Sequence, residues 1–339
     1  MTNKKICLIH AGGTIGMTRS ERGYVTKRGY LKERLEAIPD LYVNGMPEFE
    51  LYEMSPLLDS SNMSVNEWNR IGSTIAELYD GYDGFVILHG TDTMAYTASS
   101  LSFMLENLNK PVVITGSQIP LCEIRSDGRD NLITSMIIAA AGEVREVCLY
   151  FGGRLLRGNR STKMSADGLM AFDSPNFPRL AEAGINIKYY PTVKKKKSVG
   201  KFNFVPFSEV PIGVLKIFPG INFSLFDAVM TEKLKGVVLE TFGAGNIPGD
   251  GNALLPIIRA AFAAGAVITV CSQCPVGTVS LGAYAASAEL LEAGAVSGFD
   301  MTTEAAVAKL YYLFSKGYST DEIKMKMETD IAGELTRTV

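Results

Sequence analysis

The stretch His10-Ala-Gly-Gly-Thr-Ile-Gly-Met17 decides how the rest of this chain is read. It follows Ile6-Cys-Leu-Ile9, an apolar run long enough for one buried strand and too short for a helix. Two glycines then stop the strand. They permit backbone angles closed to other residues and let a ligand approach the main chain. Between them and Gly16 sits one hydroxyl, that of Thr14. A threonine at the carboxyl end of a first parallel strand lies where an open α/β sheet places ligand chemistry. Two plainer readings compete. A phosphate-cradling turn is one, but the spacing is not G-x-G-x-x-G and no Gly-Lys-Ser/Thr ending follows. An ordinary tight turn with a capping threonine is the other, and taken alone it leads. A second stretch reverses that order. His89-Gly-Thr-Asp-Thr93 again follows an apolar strand, Phe85-Val-Ile-Leu88. Two strand ends, each with Gly and a small hydroxyl and one with a carboxylate beside it, read as halves of one site.

Working outward, short apolar runs alternate with amphipathic stretches. Residues 18–29 are rich in Gly, Arg and Lys and predict a mobile loop carrying Tyr24, placed to fold over the site as a lid group. A strand is expected over Leu51–Met54, followed by a polar cluster at its end, Leu57-Leu-Asp-Ser-Ser-Asn62. Ser64 and Glu67 form a capping-box pattern that opens a helix through Leu78, with Trp68, Ile71, Ile75 and Leu78 on one face. Strands over 84–88, 112–115 and 146–150 alternate with helices over 93–108 and around 130–141. That alternation implies a parallel sheet covered on both faces. A stretch with Pro, Asn and Asp then runs on toward residue 190, and Lys194-Lys-Lys-Lys197 reads as a solvated linker. A second unit starts near Pro211, with strands over 212–217, 236–240 and 266–270 and helices near 222–230, 252–264, 282–292 and 303–315. The last helix carries Ala306, Leu310 and Leu313 on one stripe. The expected architecture is α/β with two domains: a parallel-sheet N-terminal domain over 1–190, a linker over 191–210, and a smaller α/β C-terminal domain over 211–339.

Bulk properties agree with this reading and narrow the function. A length of 339 residues fits two domains. With 47% hydrophobic and 20% charged residues the chain can bury a sizeable core. A net charge of −3 argues against nucleic acid as the main partner. Met1-Thr-Asn-Lys-Lys5 leads into too short an apolar run for a secretory segment, so a cytoplasmic location is expected. The longest weakly apolar run, Ala260–Cys271, falls short of the roughly 20 residues a membrane span needs. The cysteines are odd in number, five, which fits reduced thiols. Cys271-Ser-Gln-Cys274 lacks the second pair that zinc would need, and reads as structural thiols. No metal or cofactor is implied.

The polar groups at expected strand ends are Thr14, Asp59-Ser60-Ser61 and Thr91-Asp92, with Lys163 on a later loop. His10 ends a buried strand and His89 precedes Gly90. Both read as hydrogen-bonded, half-buried residues rather than as bases or ligands. A threonine is a nucleophile when an adjacent group takes its proton. A lysine beside a carboxylate and a second threonine can move that proton, which rebuilds the logic of the triad from Thr, Lys and Asp. N–H groups of the Gly-rich turns would hold an oxyanion. The remaining groups suit a zwitterion, a carboxylate for its α-amino group and hydroxyls for its α-carboxylate. The reaction class is acyl transfer to water from a small polar amide or ester.

Gly12-Gly-Thr-Ile-Gly16 together with His89-Gly-Thr-Asp-Thr93 resembles the pair of signatures of the bacterial-type L-asparaginases. Their order, with Asp59-Ser-Ser61 between and Lys163 after, makes the match specific. It continues through Thr115-Gly-Ser-Gln118, Arg157-Gly-Asn-Arg160 and Gly243-Ala-Gly-Asn246, nearly the whole chain. The Asp-Ser-Ser-Asn form of the middle motif is similar to that of the cytoplasmic type I enzymes. The resemblance implies hydrolysis of L-asparagine to L-aspartate and ammonia through an acyl-enzyme on Thr14, without a cofactor. It implies Tyr24 as lid partner of Thr14, and Thr91, Asp92 and Lys163 as the proton-transfer set. Asp59, Ser60 and Ser61, with Thr91 and Asp92, would bind the substrate. Asn246 would reach toward the site of a neighbouring subunit, so an intimate dimer is implied, commonly assembled into a tetramer. In type I enzymes a second asparagine can bind at an allosteric site. The resemblance maps that site onto Thr162, Ser272-Gln273-Cys274 and a position that is arginine in the bacterial allosteric members. Here that position is Glu240. The arginine would pair with the effector's carboxylate; a glutamate would repel it.

Two other functions stay open. An asparaginase-like subunit of an archaeal tRNA-dependent amidotransferase shares these motifs but carries an N-terminal extension, for which a first strand starting at Ile6 leaves no room. A non-catalytic amino-acid sensor would keep Asp59 and Ser60 but has no reason to retain Thr14, Thr91 and Lys163 together. Asparagine against glutamine is not decided by the sequence, because one methylene in a pocket is worth only about 1–3 kcal/mol.

Overall fold

The computed structural model describes residues 4–21, 23–193, 200–248, 253–283 and 285–337. They fall into two units, Met1–Pro206 and Phe207–Val339. The four-lysine run at 194–197 lies outside the described residues.

In the first unit, β1 (Lys5–Gly12) leads to a hairpin, β2 (Met17–Ser20) and β3 (Gly23–Thr26), then to α1 (Tyr30–Glu36) and the long strand β4 (Glu48–Leu58). After α2 (Val65–Leu78) come β5 (Gly84–Leu88), α3 (Met94–Met104), β6 (Leu105–Glu106), β7 (Val112–Thr115) and α4 (Gly128–Ala141). The remainder is short strands: β8 (Val147–Phe151), β9 (Arg154–Arg157), β10 (Thr162–Lys163), β11 (Phe172–Asp173), β12 (Ala181–Ala183), β13 (Ile187–Tyr189) and β14 (Asn203–Phe204). Eight of these form the main sheet in the order β13-β12-β9-β8-β7-β5-β1-β4.

The strands β4, β1, β5, β7 and β8 are parallel. Counted among themselves they take the doubly wound order 2-1-3-4-5, whose switch point falls between β1 and β5. Every residue of β5, β7 and β8 is buried, as strands covered on both faces require. On one face Ile6, Leu8, Val86, Leu88 and Val113 pack with Leu31 and Leu35 of α1 and Leu132 and Met136 of α4. On the other, α3 lies against β7 and β8, and Tyr79 at the end of α2 stacks over Phe85 with ring centroids 6.4 Å apart. Ser64 caps α2 at the expected place but without the reciprocal capping-box bonds: its hydroxyl accepts from the Asn66 N–H and donates to the Glu67 carboxylate. Each of these buried aliphatic side chains is worth about 1.5–3 kcal/mol of transfer free energy.

Four expectations need correction. Residues 18–29 are not loop throughout but begin with the β2–β3 hairpin, registered from Met17↔Thr26 to Ser20↔Gly23. The β-branched Thr18, Val25 and Thr26 lie on the paired strands, the Ser20 hydroxyl donates to the Gly23 carbonyl, and the count of Gly, Arg and Lys hid that pattern. The helix expected over 93–108 stops at Met104. Leu105–Glu106 instead pairs with Asn203–Phe204, and Asn107 takes a left-handed φ of 56°, which asparagine tolerates. The sheet is not wholly parallel: β9, β12 and β13 run antiparallel at its edge. Gly152-Gly153, with φ of 55° and 83°, makes the two-residue turn that folds β9 back on β8, a hairpin signal legible in the sequence but overlooked. In the second unit the helix expected near 222–230 is replaced by two short turns, Phe223–Phe226 and Val229–Lys233. There the Asn222 side chain accepts from both the Ser224 N–H and the Ser224 hydroxyl, which competes with helical hydrogen bonds.

That second unit is a parallel sheet of β15 (Ile212–Lys216), β16 (Gly236–Thr241), β17 (Val267–Ser272) and β18 (Val296–Ser297), in that order. Leu254, Leu255 and Ile258 of α5 (Leu254–Ala263) pack on Val237, Leu239 and Ile268. α6 (Ala285–Glu292) lies beside α5. α7 (Thr303–Ser315) and α8 (Thr320–Met327) cover the opposite face, where Gly236 sits under Leu310. One charged pair is wholly inside this unit. Lys309 of α7 lies 2.5 Å from Glu334, both side chains fully buried. Its ammonium also donates to the carbonyls of Met327 (3.0 Å) and Thr329 (2.7 Å), so three hydrogens find three acceptors. Burial pushes the Lys309 pKa down, and Glu334 opposes that shift. Glu334 in turn accepts from the N–H groups of Ile331 and Ala332.

Candidate active site

β1 is buried from Ile6 through Ala11 and ends on Gly12 and Gly13, with φ of 126° and 87°. A methyl group on Gly13 would fall on the Gly90 backbone, and one on Gly90 would fall on the Ser60 side chain. Only glycine permits that approach, so the ends of β1, β4 and β5 meet main chain to main chain at the switch point. The Gly13 N–H closes the junction on the Leu58 carbonyl at 3.1 Å. Thr14–Gly16 then forms one tight turn. Ile15 is buried and anchors it, while Thr14 is half-buried. Thr14 and Thr91 each follow by one residue the two glycines in contact. Among the described residues no hydrogen bond joins Thr14 to Thr91, Asp92 or Lys163.

Those three are joined to one another. Lys163 sits on β10, held by its pairing with Phe172 of β11, whose ring packs edge-on against Phe151 at 5.2 Å. Its Nζ donates to Thr91 Oγ1 at 2.9 Å and to Asp92 Oδ1 at 2.7 Å. The lysine side chain is 19% exposed and the aspartate 65%. An ammonium, a carboxylate and a buried hydroxyl thus share one edge of the switch point, open to solvent on the Asp92 side. Thr93 donates to the Ser60 carbonyl at 2.8 Å and ties the Asp59–Asn62 turn to the same place. Ser60 is buried, while Asp59 and Ser61 are exposed. The Asp59 carboxylate accepts from the Ser61 N–H at 3.2 Å, leaving most of its acceptor capacity open.

Tyr24 stands on β3 and is 43% exposed. Its hydroxyl donates to Glu123 Oε1 at 2.9 Å, and Arg19 from β2 grips the same carboxylate at 2.6 and 2.9 Å. The guanidinium, then the phenol, hold the Glu123 carboxyl below its usual range. Both histidines are fully buried rather than half-buried. His89 Nδ1 faces the Gly90 carbonyl at 2.7 Å, so it carries the proton, and Nε2 accepts from Thr97 at 2.9 Å. Burial lowers its pKa to about 4. Among the described residues His10 makes no hydrogen bond with either ring nitrogen, contrary to the expectation; its Nδ1 lies 3.6 Å from Glu53, and Gly16 packs directly on its ring. Burial lowers its pKa.

Sequence reasoning quoted Gln118 within a motif and gave it no role. Its Oε1 accepts from the Thr91 hydroxyl at 3.1 Å. The signal was there: Gly116-Ser117-Gln118 is one more polar strand end, after β7. Asp127, also passed over, accepts from the N–H groups of Gln118 and Ile119 and fixes that turn. Among the described residues no group of three or more His, Cys, Asp or Glu side chains could hold a metal ion.

The family model "Asparaginase, N-terminal" matches residues 5–195, and "Glutaminase/Asparaginase C-terminal domain" matches residues 211–327. The chain belongs to the asparaginase family. It is 46% identical over 336 residues to L-asparaginase 1 of Escherichia coli (strain K12), with 99% of each chain covered. It is 33% identical over 339 residues to the L-asparaginase of Thermococcus kodakarensis, covering 98% of this chain and 99% of that one. Among solved structures, L-asparaginase I from Vibrio cholerae matches with a TM-score of 0.93 at 46% identity, over 99% of this chain and 100% of that one. The match thus runs over both units.

The remaining residues implied by the asparaginase resemblance, Thr162 excepted, lie far from this cluster in sequence. Asn246 closes the turn after β16, its N–H donating to the Phe242 carbonyl at 2.8 Å. Thr162 precedes Lys163 on β10 and pairs with Asp173. Glu240 on β16 accepts from the Thr303 hydroxyl at 2.5 Å. Ser272 donates to the Gly243 carbonyl at 2.7 Å and accepts from the Cys274 N–H at 3.0 Å. Cys274 is exposed; Cys271 is buried, its pKa pushed to about 12 by burial and then by Glu240 and Glu304. All five cysteines are free. No described helix is long and apolar enough to cross a membrane.

Proposed function

We propose that the chain hydrolyses L-asparagine to L-aspartate and ammonia through an acyl-enzyme on Thr14. The observation that carries this reading is the Lys163 ammonium within hydrogen-bond distance of both Thr91 and Asp92, beside the glycine junction that brings the Thr14 turn to them. Thr14 Oγ attacks the side-chain amide carbonyl, and N–H groups of the two Gly-Thr turns receive the oxyanion. The Lys163 ammonium gives a proton to the departing nitrogen and is reprotonated through Thr91, which takes the proton that leaves Thr14, so ammonia leaves and an ester remains. Water then attacks the ester, aspartate leaves, and Thr14 regains its proton. Asp59 and Asp92 hold the substrate's amino group, and Ser60 and Ser61 its carboxylate. Asn246 completes the site of a neighbouring copy, so the working unit is a homo-oligomer. The test is ammonia release from L-asparagine and, at equal concentration, from L-glutamine. Release from asparagine is expected, with the ratio set by one methylene at about 10–200-fold. No release from asparagine sinks the reading.

At the effector position, Glu240 puts a carboxylate where the allosteric members carry arginine. One unit-charge contact at 4 Å is worth about 4 kcal/mol at an effective dielectric near 20, before desolvation is discounted. Reversing its sign outweighs the 1–3 kcal/mol coupling usual in allostery. Initial rate against asparagine concentration is therefore expected to be hyperbolic, and unchanged in shape by Thr162→Ala. A sigmoidal wild-type curve that turns hyperbolic in Thr162→Ala would show the opposite.

A further inference from the structure

The geometry points to Gln118 as a positioning residue that fixes which way the Thr91 hydroxyl faces and how far Lys163 stands from it; this rests on the reaction proposed above. A hydroxyl has one hydrogen and two lone pairs. Lys163 Nζ donates to Thr91 Oγ1, which fills one lone pair. The hydrogen goes to Gln118 Oε1 at 3.1 Å. The amide cannot be turned round. Its Nε2 faces the carbonyls of Ala166 and Gly168, each at 3.2 Å, and both can only accept. Oε1 is therefore the atom left toward Thr91. The remaining lone pair of Thr91 is presented to the open side, so Thr91 meets the reacting groups as an acceptor.

The same amide binds the loop that carries Lys163. Ala166 and Gly168 lie just past β10, so one side chain grips both Thr91 and the chain leaving Lys163. Its own backbone is pre-set. The Asp127 carboxylate takes the Gln118 N–H at 3.1 Å to each oxygen and the Ile119 N–H at 3.0 Å, and Asn131 donates to Asp127 at 3.2 Å. The charged groups around it are Lys163 and Asp92 through Thr91, Asp127 beneath its backbone, and Asp167, which accepts from Ser165. Gln118 itself does not titrate. A rigid acceptor at this place stops a buried hydroxyl from rotating, and orientation of reacting groups acts on turnover rather than on affinity.

Two variants separate this role from simple packing. Gln118→Met keeps the volume and removes acceptor and donors together. Gln118→Glu keeps an acceptor toward Thr91 and, while protonated, an O–H donor for one of the two carbonyls; once ionised it turns a bare carboxylate on them. In Gln118→Met kcat for asparagine is expected to fall at least tenfold with KM within threefold of wild type. In Gln118→Glu activity relative to wild type is expected to fall as the pH is raised from 5 to 8, while the relative activity of Gln118→Met stays flat. A Gln118→Met kcat within twofold of wild type, a loss carried by KM, or a flat profile for Gln118→Glu overturns the assignment. If Gln118→Met fails to fold, the Gln118→Glu profile decides alone. A wild type that releases no ammonia overturns the proposed reaction instead, and Thr14→Ala measured alongside tells the two failures apart.

Discussion

Replacing Thr14 by alanine is expected to remove asparagine turnover, by about a thousandfold or more, while leaving the melting curve in place. The two halves of that expectation have separate causes. Loss of an attacking oxygen removes the covalent route, and what then remains is only the residual rate supplied by binding and oxyanion contacts. Stability is untouched because the side chain is half-buried on a turn whose anchor is the neighbouring Ile15. Thr14 Oγ1 has no hydrogen-bond partner among the described residues, so no buried group is orphaned by the change. A surface-like substitution of this kind stays within about 0.5 kcal/mol. Ammonia release and thermal unfolding on the same preparation measure both halves. Turnover within tenfold of wild type would rule Thr14 out as the covalent group.

The second large effect lies far from that chemistry. Removing either member of the Lys309–Glu334 pair is expected to destabilise the second unit by about 3–5 kcal/mol, because each leaves the other charge buried and uncompensated. Lys309→Met additionally strips the donor from the Met327 and Thr329 carbonyls. At 2–4 °C per kcal/mol, the melting temperature should drop by roughly 10 °C. The double variant Lys309→Met with Glu334→Leu should be more stable than the sum of the two singles, since an apolar pair owes no desolvation. Singles that melt within 1–2 °C of wild type would show that this pair does not hold the chain after α8 to α7.

Most of the parallel core was legible because β1, β5, β7 and β8 are short apolar runs bounded by glycine, proline or polar residues, and α2 carries a clear apolar stripe. What escaped was shaped by contacts the sequence does not print. The β2–β3 hairpin is fastened by Arg19 and Tyr24 on Glu123, about a hundred residues away. The end of α3 is set by a strand pairing with residues 203–204. Strand-end logic found Thr91 and Asp92, because a strand end announces itself by composition; Lys163, expected on a loop, sits on β10 and hydrogen-bonds to both. It passed over Gln118, whose work depends on two carbonyls near residue 167 that no local pattern reveals. Lys309 was hidden for the opposite reason: a charged residue on a helix stripe reads as solvent-facing, and only the fold shows Glu334 waiting for it.

The glycine junction has a mechanical meaning. Gly13 and Gly90 touch backbone to backbone, with no side chain between them to act as a compliant layer. The two turns therefore share one rigid base, and their separation is not a variable that rotamer changes or solvent can tune. The hairpin, by contrast, is fastened to Glu123 by an ion pair exposed on its Arg19 side, and salt weakens such a contact. Floor and cover are built from different materials. One is fixed by steric exclusion at all ionic strengths; the other is held by electrostatic contacts that water and ions compete for.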